Sequence, residues 1–332
     1  MKKISLFLIA FVMISLAFCI DSNAAAKTYV MRIGYATKGN PLDMAANNFL
    51  EKMKKRGGDQ VKVELYPAGQ LGSNETMLQQ LQQGTIQGVM NPPGFLGGRY
   101  DLVTILDLPY FLKTDLLSAV KILNGPLGQK LTKGLEEKGM INIRFYPEGN
   151  QVVLAKFAIQ NLDSFKGKKI RVMQSQIQID TYNGWGASGI PMGVPELYTA
   201  LQQGTVDGVS ATEMFFYTMK YHEICKTLFT APQVPTPSML IVNKKWYEGL
   251  PSDLRKAVNE SAADDKELLE KAVSMNNNAV EMMKKAGVSV VTPTGDLLKE
   301  LEGRAKKVHE NFLKTHPEAK PFYDEFVQSL KK

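Results

Sequence analysis

LQQGTIQGVM at residues 81–90 returns as LQQGTVDGVS at residues 201–210, with seven of the ten positions identical. In each copy the pattern reads as the last turn of a helix, a glycine that ends it (Gly84, Gly204) and a short apolar strand. A helix-to-strand corner used twice predicts two related α/β lobes with a cleft between them. The competing reading is coincidence within Gln-rich helices, which one ten-residue echo does not dispose of.

The flanking chain extends the pattern in both directions. Residues 28–35 alternate like a strand, a loop follows, and Pro41 opens a helix to about Arg56. Residues 60–65 alternate again, Ser73 caps the helix that carries the first echo, and residues 86–90 form the next strand. This βαβαβ order favours a parallel sheet with helices on its faces. Beyond it the sequence predicts a helix over 115–138 and a strand over 140–146. The chain crosses into the second lobe at Glu148-Gly149-Asn150, with strands at 152–159 and 169–173. Helices are expected at 177–185, 195–203 and 212–221, the chain turns back near 232–237, and residues 252–286 read as one helix of roughly 50 Å at 1.5 Å per residue. A helix that long can brace both lobes. The expected division is 1–26 as an export signal, 27–148 plus 237–276 as lobe one, and 149–236 plus 277–332 as lobe two.

At 332 residues the chain is long enough for two cores. Lys2 and Lys3 precede an apolar run over residues 4–20, and Ala24-Ala25-Ala26 supplies the small residues that a signal peptidase reads, so the mature chain is expected to start at Lys27 and to be periplasmic. The run falls short of a spanning helix, and Phe18 before Cys19 disfavours a lipid anchor. The signal carries away two lysines and one aspartate, taking the net charge from +7 to +6. That excess is spread among glutamates in helices, so nucleic-acid binding is not expected. Cys225 is then left alone, a small hydrophobe beside Ile224 in a protein stabilised by core burial, not disulfides.

Catalytic and cofactor signatures are missing from the sequence. The three histidines have no HxxH or HExxH spacing, residues 125–132 do not spell GxxxxGK[ST], and neither GxSxG nor GxGxxG occurs. No catalytic residue, metal or cofactor is therefore expected. Arg171 is the residue to weigh. After two lysines it reads by composition as a surface charge, but on a strand it alternates with Ile170 and Val172 and can point alone into a cleft. There its planar fork would clamp a carboxylate through two parallel hydrogen bonds.

GQLGSNETMLQQLQQG (69–84), LDLPYF (106–111), DSFKGKKIRV (163–172) and GIPMGVPELYTALQQGTVDG (189–208), together with the leader and KWYEGLP (245–251), resemble the DctP-type solute-binding proteins of tripartite ATP-independent periplasmic (TRAP) transporters. The resemblance covers essentially the whole mature chain. It implies a two-lobed periplasmic-binding-protein-like fold with hinge strands, a ligand enclosed on closure, delivery to TRAP membrane permease subunits driven by an ion gradient, and Arg171 as the arginine that binds the ligand carboxylate. The chain departs from the family pattern at Gln151, where many members carry a second arginine, at Ala211 in place of an asparagine, and at Val194 in place of an aromatic residue before Glu196. One full-strength cation points to a small organic acid with one carboxylate and a less polar body. Met173 and Phe215 would suit that body or the core equally. Thr37 and Asn91 lie on loops after strands, where open α/β sheets bind ligands, or serve there as ordinary turn polarity. A secreted hydrolase or isomerase acting on a small carboxylate remains the alternative.

Overall fold

A computed structural model of the chain describes residues 27–263 and 266–330; the expected export segment and Asp264-Asp265 lie outside them. Nine strands form one sheet: β1 (Tyr29–Gly34), β2 (Val61–Tyr66), β3 (Gly88–Asn91), β4 (Met140–Ala155), β5 (Lys169–Val172), β6 (Ser188–Pro191), β7 (Gly208–Ala211), β8 (Thr227–Asn243) and β9 (Ser289–Val291). Their order is β2-β1-β3-β8-β4-β7-β5-β6, with β9 on β8. The order is a palindrome in kind. On one side β1 pairs parallel with β2 and β3, and β3 meets β8 antiparallel; on the other β5 pairs parallel with β6 and β7, and β7 meets β4 antiparallel. The mixed two-lobed α/β architecture expected from the echo is thus present.

The two copies of the echo make the same corner. Gly84 and Gly204 end their helices at φ 78° and 76°, a left-handed conformation that glycine adopts without the Cβ penalty. The next residue closes the helix in both: Thr85 N–H donates to Gln80 O at 3.0 Å and Thr205 N–H to Ala200 O at 2.9 Å. Two residues on, Gln87 N–H reaches Arg32 O and Asp207 N–H reaches Lys169 O, while the Gln87 and Asp207 side chains accept from the N–H groups of Arg32 and Lys169. The variable position in the echo is therefore a clamp on the neighbouring strand. Nothing lies within 4 Å of a Cβ built on Gly204, so Gly204→Ala should cost only the backbone strain, about 1 kcal/mol. Thermal melting should show a drop of roughly 2 °C; no drop would mean that the corner relaxes without cost.

Two strands expected as separate, over 140–146 and 152–159, are one 16-residue strand, β4, running antiparallel to the 17-residue β8 through both halves. Proline and glycine at 147 and 149 bend the pair without ending it: the register shifts between Pro147 and Gly149 and between Gln151 and Val153. The expected helix over 115–138 is cut into Leu116–Leu123, Pro126–Thr132 and a 3₁₀ segment, because Gly125-Pro126 restarts the chain. The expected helix over 252–286 is likewise two, Ser252–Ala262 and Lys266–Lys285, with Ala263 extended at φ −62°, ψ 133°. The bracing role falls to the 20-residue second piece, which packs on both Pro41–Gly57 and Glu213–Thr218. The aromatic helix expected to reach 221 stops at Thr218. The C-terminal helices touch both halves: Gly295–Thr315 lies on Gln176–Gly184, whereas His309 Nε2 lies 2.8 Å from Pro109 O and Tyr323 stacks on Phe111.

Candidate functional site

Parallel strands buried on both faces leave no exposed side for a charge, and this decides where Arg171 goes. Ile170 and Val172 face the aromatic core of Phe165, Trp185 and Phe229. Arg171, on the opposite face, lines a cavity between the halves and is 1% exposed. The cavity volume open to water-sized groups is about 40 Å³. One half of the sheet and its loops contribute Ala36, Thr37, Leu42, Asn74, Met90, Pro92 and Phe95; the other contributes Arg171, Met173, Val194, Ala211, Thr212 and Phe215; the crossing strands add Glu148, Gln151 and Thr236.

Arg171 donates from Nε and Nη2 to the Met192 carbonyl at 2.9 and 2.7 Å, which fixes the fork and leaves the rest of the guanidinium for other partners. Its guanidinium carbon lies 5.9 Å from the ring centre of Phe95, a residue of the other half. No carboxylate pairs with it among the described residues. Burial pulls its pKa down to about 10, so it stays cationic at neutral pH without an anion to balance it.

Six of the seven residues expected at the site line the cavity: Arg171, Gln151, Met173, Thr37, Val194 and Phe215. Asn91 does not. It is fully buried behind the wall, where its Oδ1 accepts from Asn74 Nδ2 at 2.6 Å and so orients Asn74, which does line the space. Thr37 also serves the turn, donating to Asn40 Oδ1 at 3.0 Å while Asn40 caps the first helix. Met173 and Phe215 belong to the core and to the lining at once. Three polar atoms of the lining have no partner among the described residues: Asn74 Oδ1, Gln151 Nε2 and Thr212 Oγ1. Buried polar groups are nearly always satisfied, so these three mark where a bound molecule or water would bond.

Glu148 was missed by sequence reasoning beyond its place at the crossing. It is 5% exposed, and Ser238 donates to its Oε2. Burial pushes its carboxyl up to about 7 against the pull of that hydroxyl. The folded state holds its proton more tightly than the unfolded chain, so its contribution to stability falls as pH rises from about 4.5 to about 7, by roughly 3 kcal/mol. Glu148→Gln removes that loss. The ligand-free variant should melt several degrees above the parent at pH 8 and near it at pH 4.5; equal melting at both values would show that the carboxyl titrates normally. Close by, Glu213 accepts from the Asn150 N–H at 3.0 Å, and Asn276 donates to the Glu148 carbonyl at 2.8 Å, tying the bend in β4 to two helices.

Among the described residues no group of three His, Cys, Asp or Glu side chains converges on a metal position, and no helix is long and apolar enough to cross a membrane. Cys225 is fully buried, as expected for a small hydrophobe, and burial pushes its thiol up to about 12.

The profile of the bacterial extracellular solute-binding proteins, family 7, matches residues 34–315. The 2,3-diketo-L-gulonate-binding periplasmic protein of Escherichia coli is 28% identical over 300 residues, covering 90% of each chain. The ectoine-binding periplasmic protein of Halomonas elongata is 28% identical and covers 81% of each chain. A TRAP periplasmic solute-binding protein of Desulfovibrio salexigens, solved with bound orotic acid, superposes with a TM-score of 0.84 at 28% identity, over 91% of this chain and 99% of that one. The sugar-acid-binding protein of Advenella mimigardefordensis in complex with galactonate gives 0.85 at 27%, with 91% and 99% covered.

Proposed function

The chain belongs to the bacterial extracellular solute-binding proteins of family 7, and from that premise we propose that it captures a small organic acid with a single carboxylate and hands it to a TRAP-type permease. It is a binding protein and not an enzyme, which sets aside the secreted hydrolase or isomerase. The observation that carries the ligand reading is Arg171: a buried cation, held by one carbonyl and no anion, in a space otherwise walled largely by Leu42, Met90, Phe95, Met173, Val194 and Phe215. A carboxylate there gains two charge-assisted hydrogen bonds and relieves an uncompensated charge. Gln151 is uncharged, and its free Nε2 adds a neutral donor. That donor set suits one carboxylate better than two. Gln151, Met173, Val194, Thr37 and Phe215 would shape the rest of the pocket, and Asn91 would act through Asn74.

In this reading residues 27–148 plus 237–276 and residues 149–236 plus 277–332 form the two lobes, β4 and β8 are the hinge, and residues 1–26 are a cleavable signal that delivers the chain to the periplasm. Ligand contacts with both lobes offset the cost of closing them. Mass spectrometry of material carried through native purification, followed by thermal-shift titration with matched mono- and dicarboxylates, tests the proposal. A monocarboxylate should give the larger stabilisation. The proposal fails if dicarboxylates win, and a relative from Rhodobacter capsulatus is named for binding C4-dicarboxylates, so that outcome has a precedent.

A further inference from the structure

The cavity holds two ionisable groups of opposite sign, Arg171 and Glu148, and the structure joins them by no ion pair. They enter from separate places. Arg171 pairs with Val209, which pairs with Leu154 of β4, whereas Glu148 sits six residues earlier on β4. Two strand spacings across and six residues along a bulged strand put the two Cα atoms at most on the order of 20 Å apart, so the charged heads enter the space from different places. A bare carboxylate offers only acceptors. It would satisfy Arg171 and Gln151 Nε2 and leave Asn74 Oδ1 without a donor and Glu148 with the Ser238 hydroxyl alone.

We infer that the ligand is zwitterionic: its carboxylate docks on Arg171, and a protonated nitrogen at its other end docks on Glu148. The inference rests on the reading of Arg171 as the carboxylate anchor. Glu148 is nearly out of contact with solvent, and its carboxylate accepts from the Ser238 hydroxyl and, among the described residues, pairs with no cation. Above pH 7, where Glu148 is ionised, an anionic ligand without a nitrogen leaves that buried carboxylate unpaired, which costs several kcal/mol, or makes it take up a proton. A protonated nitrogen supplies the missing counter-charge and donors for both Glu148 and Asn74. Charge-assisted bonds of this kind are about twice as strong as those of a neutral hydroxyl.

The test is a titration of the mature protein with matched sets of acids that differ only in the far group: 4-aminobutyrate, 4-hydroxybutyrate and butyrate; 5-aminopentanoate, 5-hydroxypentanoate and pentanoate; and 6-aminohexanoate, 6-hydroxyhexanoate and hexanoate. In the set that binds best, the amino member should bind at least tenfold more tightly than the hydroxy member. Glu148→Gln should abolish that preference while keeping the weaker binding of the deaminated acid. A hydroxy or unsubstituted acid that wins, or a winner bound equally well by Glu148→Gln, overturns the zwitterion while leaving the Arg171 anchor standing. If no acid of any set binds, or the winner is unaffected by Arg171→Met, the carboxylate reading falls and the zwitterion with it.

Discussion

Arg171→Met is expected to weaken ligand binding by on the order of a hundredfold or more while leaving the ligand-free protein about as stable as the parent. The two halves of that expectation have different causes. In the complex the substitution strands a desolvated carboxylate without its bidentate donor, and breaking one side of a buried charge pair costs a few kcal/mol. In the ligand-free protein the guanidinium is itself a burden: burial has drawn its pKa from 12.5 to about 10, which corresponds to a few kcal/mol of unfavourable charge burial. Against that relief stands the Met192 carbonyl, which loses both donors, at about 1–3 kcal/mol. The two nearly cancel, and methionine keeps most of the volume. Calorimetric titration and melting curves together distinguish this from a structural role, which would lower melting and affinity in parallel. Arg171→Lys should recover little, because a point charge cannot hold Met192 and clamp a carboxylate with the same fork.

Part of the fold was legible because it is written locally. The echo specifies the same glycine cap, the same closing hydrogen bond and the same strand clamp in both halves, each set by one or two side chains at fixed spacing. Gln87 in one copy and Asp207 in the other perform one task, each accepting from a backbone N–H of the neighbouring strand, Arg32 of β1 and Lys169 of β5. What local pattern could not convey was continuity. Pro147 and Gly149 read as an interruption, yet β8 pairs across them and carries β4 through as a bulged strand. Conversely, a run of good helix formers over 252–286 hid the break after Ala262, because propensity is a weak prior that tertiary packing overrides.

The site was legible where a side chain conflicted with its own element. An arginine between two inward apolar neighbours on a parallel strand has nowhere to go except a cavity. Glu148 gave a weaker signal: a carboxylate beside Pro147 and Gly149 reads as ordinary turn polarity, and only the pairing of β4 with β8 buries it. Asn91 and Asn74 show the limit of strand-end reasoning. The end of β3 does point toward the site, but which of two bonded asparagines lines it depends on a packing that no spacing encodes.

Gly97→Ala is expected to reduce affinity by on the order of a hundredfold through closure alone. A Cβ on Gly97 would lie 1.9 Å from the carbonyl oxygen of Gln174. Gly97 follows the 3₁₀ turn Pro93–Leu96 after β3, and Gln174 follows β5, three residues beyond Arg171, so the contact crosses between the two halves. At φ −52° and ψ 135° the backbone of Gly97 suits alanine, which leaves the clash across the seam as the only penalty. A backbone atom cannot rotate away as a flexible side chain would. The halves must therefore part by more than 1 Å where Phe95 meets Arg171, and at an apparent affinity scaled by the closed fraction, a cost of about 3 kcal/mol is a factor of about a hundred. If the lobes move as proposed, an open form escapes the clash, the ligand-free variant melts within about 2 °C of the parent, and small-angle scattering shows contraction only at about a hundredfold more ligand than the parent needs. Unfolding of the variant at ordinary temperature would instead show that the Gly97–Gln174 contact is permanent and that these segments belong to one rigid core.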